Sequence, residues 1–405
     1  MLASVLLAGL LASCALPPRL PAPATLAARV APPGFRPSVC FLSDNQAYLQ
    51  KHLNAVVQAV RAAAGGRAVR ILALSGGGAV GSFGAGALYG LAQAGRLPVF
   101  QVVTGVSAGA LIAPFAFLGR KWDPELRRAF DGTRADHLLR LRPWLTFLVR
   151  PGFYRGAPLR ALVSHFVTPR MIRAVAAAAA KGRVLLVGTT DLDKEEPVIW
   201  NMGMIAAHGG PAARRLFIRV LVASASIAGI FPPVLIHVER NGRSYDEMQV
   251  DGSTTVPFFI TPEIAQVTPL RLPALRRARV YVVINGQLDA FAKTVAQTPL
   301  AVLSRSYSAA VMQAARQNLA LSAEFAHRYH MRLRFTFLPM TFAYDGSLDF
   351  SRANRKALFA FGEHCARTGQ LWTTLAQAVA AGQRAATEAP RHSRQCPAPP
   401  AHVSP

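Results

Sequence analysis

The feature that most constrains the fold is an uncharged segment between Arg96 and Arg120, which reads LPVFQVVTGVSAGALIAPFAFLG. Its 23 residues are long and apolar enough to be tested first as a membrane-spanning helix. Pro98, Pro114 and two glycines interrupt the stretch, however, and would break such a helix. A buried strand followed by a buried helix has the same composition at the centre of a sheet that is covered on both faces. We therefore predict a βα unit here and not a transmembrane helix.

The segment before it repeats the same pattern. From Val69 the chain reads VRILALSGGGAVGSFGAGALYGLAQAG, a short apolar strand, a glycine turn and a helix of small residues. Two successive βα units favour an α/β fold, a three-layer α/β/α sandwich with a mainly parallel central sheet. The pattern predicts further strands over 184–189, around 198, and over 235–239, 248–250, 279–284 and 332–338, and helices over 160–167, 172–180, 214–226, 295–329 and 352–381.

The first residues resemble an export signal. MLASVLLAGLLASC is apolar, too short to span a bilayer, and ends in small residues at Cys14. Residues 11–14 are similar to the lipobox of bacterial lipoproteins, which implies removal of residues 1–13, lipid attachment to Cys14 and a place in the cell envelope. Ala15 after the cysteine is typical of lipoproteins of the outer membrane. The usual basic residue near the start is missing, which leaves open a true start upstream or a weaker case for export. An ordinary secretory signal with an incidental cysteine is the alternative.

Composition also divides the rest of the chain. Residues 14–38 contain seven prolines among alanines, which favours an extended tether between the membrane and the folded part. Residues 39–386 show no repeat and no second linker, so we predict one catalytic domain there. Residues 387–405 resemble the tether in composition and are predicted to be a disordered tail. Within the domain, the aromatic residues of 121–160 fit the sheet poorly and could cap a site or pack on the core.

Charge and cysteine content limit the partners. The formal net charge of +25 favours an anionic surface such as a phospholipid membrane, while no nucleic-acid-binding motif is found. Beside Cys14 there are Cys40, Cys365 and Cys396, which permit at most one disulfide without indicating which pair forms it. No CxxC or HExxH spacing occurs, so we predict neither a metal site nor a cofactor.

Two glycine-rich turns carry the candidate chemistry. Ser107 lies between Gly105 and Gly109 in GVSAG, a GxSxG pattern that lets a strand turn sharply and present a serine nucleophile. A tight turn without catalytic meaning is the alternative in a chain rich in small residues. Gly76, Gly77 and Gly78 open the first helix, where free backbone amides could bind an oxyanion. A phosphate-binding loop or a close strand–helix crossing are the competing interpretations.

Together with VDGS at Asp251, these turns resemble the patatin-like phospholipase family. The resemblance runs in order from about residue 69 to residue 257, and GTTDLDKEEPVIW and ASASIAGIFPPV also look like segments of that family. It implies that Ser107 attacks an acyl ester, that Asp251 acts directly as its base without a histidine, and that no cofactor takes part. The resemblance also implies (lyso)phospholipids or related lipids as substrates, with Gly77, Gly78 and Ala108 as oxyanion donors.

Three positions depart from the family pattern. Ser75 stands where aspartate is frequent, Val80 where a cation is usual, and Ser253 in place of the second small residue of DG[GA]. Loss of the cation could weaken the binding of an anion near the oxyanion.

Two other functions compete with this one. An α/β-hydrolase-type esterase would complete a triad with a later histidine, for which His327, His330 and His364 are the candidates. A non-catalytic lipoprotein would instead use its basic surface to bind a membrane.

Overall fold

The structure is a computed structural model that describes residues 19–23, 31–42, 46–133, 152, 154–261, 275–289, 294–343, 346–379 and 395–398. Cys14, the predicted signal peptide, and Trp144, Phe147 and Phe153 of the aromatic segment lie outside the described residues. Those expectations stay predictions.

Nine strands and ten α-helices are defined within the described ranges. The strands are β1 (Cys40–Leu42), β2 (Arg70–Leu74), β3 (Val102–Val106), β4 (Val184–Asp191), β5 (Glu196–Asn201), β6 (Val234–Arg240), β7 (Arg243–Asp251), β8 (Arg279–Val283) and β9 (Arg332–Thr336). The helices are α1 (Gln46–Ala64), α2 (Gly81–Gln93), α3 (Ala108–Leu118), α4 (Asp123–Phe130), α5 (Ala157–Phe166), α6 (Pro169–Ala180), α7 (Met202–His208), α8 (Gly210–Ser224), α9 (Pro299–Arg328) and α10 (Arg352–Thr368).

All nine strands form one sheet, in the order β1-β5-β4-β3-β2-β8-β9, with β6 and β7 attached beside β4. The five strands from β4 to β9 in this order are parallel, whereas β1, β5 and the β6–β7 hairpin pair antiparallel. The centre of the sheet is thus parallel, as the two successive βα units predict.

Alternating residues of the central strands enter different cores. Leu72 and Leu74 of β2 point into the core shared with α2, α3, α8 and α10. Ile71 and Ala73 of the same strand point into the core shared with α1 and α9. Side chains alternate across a strand, so helices cover both faces of the sheet and the three-layer sandwich is confirmed.

The uncharged segment after Arg96 forms β3 and α3, as predicted. Among the described residues, no helix combines the length and the hydropathy that crossing a bilayer requires. Helix α10 ends earlier than predicted, at Thr368, because Gly369 follows in the left-handed conformation with φ of 82°. Helix α1, the short helix α7 and the three-residue strand β1 were not predicted.

Both predicted flexible ends contain described residues that contact the folded part. In the predicted tether, the Asp246 amide donates to the Leu20 carbonyl at 2.7 Å, and Arg19 forms an ion pair with Asp193. In the predicted tail, Cys396 forms a disulfide with Cys365 of α10. The disulfide attaches residues 395–398 to the helical layer that contains α2, α3, α8 and α10.

Candidate active site

Ser107 occupies a sharp turn between β3 and α3. Its φ of 53° and ψ of −123° are unusual for a residue with a side chain, so the turn is strained. Gly105 and Gly109 are required by close approach, since a Cβ on Gly109 would lie 2.3 Å from the Leu74 carbonyl oxygen. The GxSxG sequence therefore forms the elbow that its glycines predict.

The sheet brings the end of β7 next to this elbow. Strand β3 pairs with the first part of β4 up to Val106, which lies opposite Gly188. Beyond that point β7 pairs with β4, and Asp251 lies opposite Thr189, the next residue along β4. Strands β3 and β7 thus pair with successive parts of the same edge of β4. This places Ser107, the residue after β3, next to Asp251, the last residue of β7.

Ser107 and Asp251 are in direct contact there. The Ser107 hydroxyl donates to Oδ2 of Asp251 at 2.5 Å, and both side chains are buried. The other carboxylate oxygen, Oδ1, accepts from the Ser253 amide at 2.8 Å. This pair has the connectivity of a nucleophile and its general base.

Burial changes the acidity of Asp251. Removal from water raises the pKa of its carboxyl to about 6, although hydrogen bonds from Ser107 and the Ser253 amide act in the opposite direction. A carboxylate with a raised pKa is a stronger base than an exposed one, so the site supplies what proton transfer from a serine requires.

A second serine fixes the backbone of the nucleophile. The Ser107 amide donates to Oγ of Ser224 at 3.0 Å, and the Ser224 hydroxyl donates to the Gly188 carbonyl at 2.6 Å. Ser224 is fully buried at the end of α8. It therefore links the elbow to β4.

The glycine loop lies beside the elbow, and its members differ in role. The Gly76 amide donates to the Pro257 carbonyl at 3.0 Å, so it is not available to an oxyanion, contrary to the prediction. In the part of the chain that the structure describes, the amides of Gly77, Gly78 and Ala108 have no acceptor outside their own helical turns. Gly78 and Ala108 both face the space around Ser107.

The departures from the family pattern have visible consequences. Ser75 donates to the Gly76 carbonyl at 2.7 Å and accepts from the Asn285 amide at 2.8 Å, so it ties the glycine loop to the segment after β8. Val80 is fully buried, while Arg355 lines the cavity that Gly78 and Ala108 also face. Ser253 is buried with a hydroxyl that has no hydrogen-bond partner among the described residues.

Two cavities meet at Ser107. One is narrow and apolar, about 90 Å³, between α3, α5, α6 and α8, with lining side chains that include Leu111, Phe115, Leu159, Val163, Phe166 and Met171. The other is larger and more polar, about 580 Å³, between the glycine loop, the ends of β8 and β9, and α9; it is lined among others by Gln287, Arg305, Tyr307 and Thr341. An ester held at Ser107 would thus have an apolar side and a polar side.

The other predicted candidates lie elsewhere. His327 and His330 stand at the end of α9 and His364 on α10, and no histidine of the described ranges lines either cavity. Of the predicted aromatic cap, Trp122 is buried in the core, while Tyr154 packs against Phe231. The described residues contain no group of three histidine, cysteine, aspartate or glutamate side chains that could hold a metal ion.

Sequence reasoning missed several residues of this site. Ser224 belongs to ASASIAG, but nothing in that segment distinguishes its hydroxyl from that of Ser226. Asn285 and Tyr307 lie in segments without a motif, far along the chain from the elbow. Only the fold brings them to Ser107.

The chain is similar at low identity to two solved structures. VipD from Legionella pneumophila is 14% identical, with a TM-score of 0.38, over 75% of this chain and 67% of that one. Human GIVD cytosolic phospholipase A2 is 12% identical, with a TM-score of 0.32, over 66% of this chain and 50% of that one. No curated protein matches the chain.

The family model is more informative. The model described as "Patatin-like phospholipase" matches residues 72–261. This range contains the glycine loop, the elbow with Ser107, and the end of β7 with Asp251. The chain therefore carries a patatin-like phospholipase domain.

Proposed function

We propose that the protein is a serine acyl hydrolase that cleaves fatty-acyl esters of phospholipids or lysophospholipids at the envelope membrane. The observation that carries the proposal is the hydrogen bond of 2.5 Å between Ser107 and Asp251 at the point where an apolar and a polar cavity meet. The family of residues 72–261 supports lipid acyl hydrolysis in general. The dyad, the substrate and the location are our inference.

The reaction has two halves. In the first, Ser107 Oγ attacks the ester carbonyl carbon and passes its proton to Asp251. The amides of Gly77, Gly78 and Ala108 bind the oxyanion of the tetrahedral intermediate, and one such donor is worth about 2.7–4 kcal/mol of barrier. The intermediate expels the alcohol, which leaves with the proton, and Ser107 keeps the acyl group. In the second half a water gives its proton to Asp251 and attacks the acyl carbon. The bond between that carbon and Ser107 Oγ then breaks, Oγ takes the proton from Asp251, and the fatty acid is released.

The cavities suggest how a lipid lies in the site. The apolar cavity suits the part of one acyl chain that lies next to the ester, since burial of each CH₂ group contributes about 0.8 kcal/mol. The polar cavity suits the glycerol and headgroup, where Arg305 can approach a phosphate. One narrow apolar cavity fits a substrate from which a single chain is removed at a time.

The location of the protein is part of the proposal. Acylation of Cys14 would attach the chain to the outer membrane, and the net charge of +25 would favour an anionic surface. Two signals of this kind, a lipid and a basic surface, suffice for stable membrane attachment.

The test is labelling with a fluorophosphonate probe, followed by mass spectrometry of the tagged peptide. We expect the label on Ser107, its loss in Ser107→Ala, and a strong reduction in Asp251→Asn. Circular dichroism of each variant shows whether it is folded. A folded wild type without label would contradict the proposal and favour the non-catalytic lipoprotein.

The histidine triad predicts a different result. Alanine replacement of His327, His330 or His364 should leave both labelling and hydrolysis of a lysophospholipid unchanged. Loss of turnover in one of these variants, with its fold intact, would replace the dyad by a triad.

A further inference from the structure

Ser253 carries a buried hydroxyl next to the dyad. The side chain is 5% exposed, and its oxygen has no hydrogen bond of regular geometry among the described residues. A Cβ built on Gly76 would lie 2.1 Å from this oxygen and 3.0 Å from Cβ of Ser107, so the hydroxyl lies directly beside the nucleophile. A buried hydroxyl without a hydrogen bond of regular geometry is costly, and a ligand can supply the missing partner.

Tyr307 of α9 faces the same place. Its ring packs against the apolar cluster of Ile227, Ile230 and Phe231, and the residue lines the polar cavity together with Ser107 and Ser253. The Ser253 hydroxyl is near enough to both Asp251 and Tyr307 to lower the pKa of each. Tyr307 therefore lies at the polar cavity next to the dyad.

The phenol stays protonated in this position. Burial raises the pKa of Tyr307 well above its ordinary value, and the charge of Asp251 raises it further. Tyr307 is thus a hydrogen-bond donor at neutral pH, where Asp251 is a carboxylate.

We propose that the Ser253 hydroxyl and the Tyr307 phenol form an alcohol subsite, which holds the leaving oxygen of the ester in the first half of the reaction and the attacking water in the second. The inference rests on the proposed function, since it assigns two further catalytic residues to the same dyad. It explains why a hydroxyl stands where the family pattern has a glycine or alanine.

The subsite completes the path of the proton. When the tetrahedral intermediate collapses, the bond between the acyl carbon and the alcohol oxygen breaks, and that oxygen takes the proton held by Asp251. The Ser253 hydroxyl is in reach of Asp251, so in the subsite it would accept from Asp251 and donate to the leaving oxygen, while Tyr307 donates a second hydrogen bond. In the second half the same two groups orient a water whose proton goes to Asp251. That proton passes on to Ser107 Oγ when its bond to the acyl carbon breaks, so the dyad returns to its starting state.

The experiment compares two esters whose alcohols differ in whether they need a proton in order to leave. Wild type, Ser253→Ala and Tyr307→Phe are assayed with a p-nitrophenyl ester, whose alcohol leaves as an anion, and with an alkyl ester of the same fatty acid. We expect each variant to lose about 100-fold in kcat/KM for the alkyl ester, the lower end of what a positioned acid contributes. The initial burst of p-nitrophenol should be unchanged in rate, followed by slower steady-state turnover, because only acyl-enzyme hydrolysis needs the oriented water.

Labelling separates this inference from the proposed function. Both variants should react with fluorophosphonate as the wild type does, and Tyr329→Phe, the same change just past the end of α9, should behave as wild type with both esters. Equal losses on the two esters, or no loss on the alkyl ester, would overturn the subsite while leaving the labelled dyad in place. An unlabelled wild type would overturn the proposed function and the subsite together.

Discussion

Ser224 holds the nucleophile through the backbone, and its removal should slow the chemistry without changing the substrate. In Ser224→Ala the buried Ser107 amide loses its acceptor, and the strained elbow can relax away from Asp251. We expect kcat to fall about tenfold with KM unchanged, which corresponds to roughly 1.4 kcal/mol of barrier.

Ser226→Ala is the matched control for that change. Ser226 lies just past the end of α8, and its hydroxyl donates to the Val222 carbonyl of that helix at 2.8 Å. Both variants are compared by the rate of fluorophosphonate labelling. Equal rates would show that Ser224 has no part in placing Ser107.

Because of Asp251, activity and stability should change in opposite directions with pH. Activity needs the carboxylate, so kcat/KM should fall as the pH decreases through about 6. Stability changes the other way: the pKa is raised from 3.8 to about 6 in the folded state, so the folded protein keeps a proton that the unfolded chain releases. The free energy of unfolding therefore falls as the pH rises from 3.8 to 6, by about 3 kcal/mol.

Replacement by an amide should remove this cost. Asp251→Asn keeps an acceptor for the Ser253 amide but has no charge, so we expect it to be inactive and more stable than the wild type above that pH window. Denaturant unfolding at acid and alkaline pH measures the difference. If the wild type were more stable than Asp251→Asn at alkaline pH, the hydrogen bonds to Asp251 would compensate for the burial of its charge.

At the scale of residues, the sequence predicts those parts of the site that a local pattern specifies. Ser107, Gly105 and Gly109 follow from the GxSxG pattern, and Asp251 from the resemblance of its motif to a family. Gly76 was assigned wrongly because its amide is used by Pro257, a contact between distant parts of the chain. Ser253 looked like a tolerated replacement, and only its unpaired hydroxyl beside Tyr307 indicates a role.

Helices α2 and α10 approach each other closely enough to exclude side chains. A Cβ on Gly86 would lie 2.0 Å from the Phe359 carbonyl oxygen, and one on Gly362 would lie 2.2 Å from the Phe83 carbonyl oxygen. We expect Gly86→Ala to lower the free energy of unfolding by about 1–3 kcal/mol, since neither backbone can yield easily. Because α2 begins just after the glycine loop, labelling of Ser107 should slow as well.

Gly286→Ala serves as its control, since a Cβ there meets nothing within 4 Å. Chemical denaturation of both variants measures the effect. A Gly86 variant as stable as the Gly286 variant would mean that α10 can move away from α2 without loss.

The disulfide between Cys365 and Cys396 closes a loop with a sequence separation of 31. Its removal in Cys396→Ser should lower the free energy of unfolding by about 3–4 kcal/mol, because the unfolded chain gains freedom. Thermal unfolding with and without a thiol reductant checks this, and the reductant should have no effect on the variant. Equal melting temperatures for the two proteins would contradict a stabilising role.

At the scale of elements, the sequence predicts where helices and strands lie better than it predicts which strands pair with each other. The apolar runs of β2, β3 and β8 are long and buried on both faces, so their strands are visible in the sequence. Strand β1 has only three residues and depends on pairing with β5, and α7 is a single short helix between longer elements. Antiparallel addition of β7 to β4, which places Asp251, depends on contacts between distant segments.

The whole molecule carries 45 basic against 20 acidic residues, and the proposed function gives this charge a use. A Cys14→Ser variant, which cannot be acylated at that position, should still bind vesicles of anionic phospholipid. Binding should weaken as salt is added, because each basic side chain near such a surface contributes about 1 kcal/mol that salt screens. Sedimentation with neutral vesicles is the control, and equal binding to both kinds would show that charge is not what attracts the protein.

The contact of Arg19 and Leu20 with the β6–β7 hairpin sets how far the protein could reach from its anchor. Only residues 15–18 separate Cys14 from Arg19, so an acylated Cys14 would lie within about 18 Å of that contact. Asp251 lies five residues beyond Asp246 along β7, which is about 17 Å further. The dyad would therefore work within about 35 Å of its own lipid anchor. An enzyme held this close to its anchor would take its substrate from the membrane leaflet to which it is attached. Its turnover would therefore depend on the surface density of lipid in that leaflet and not on the lipid concentration in bulk.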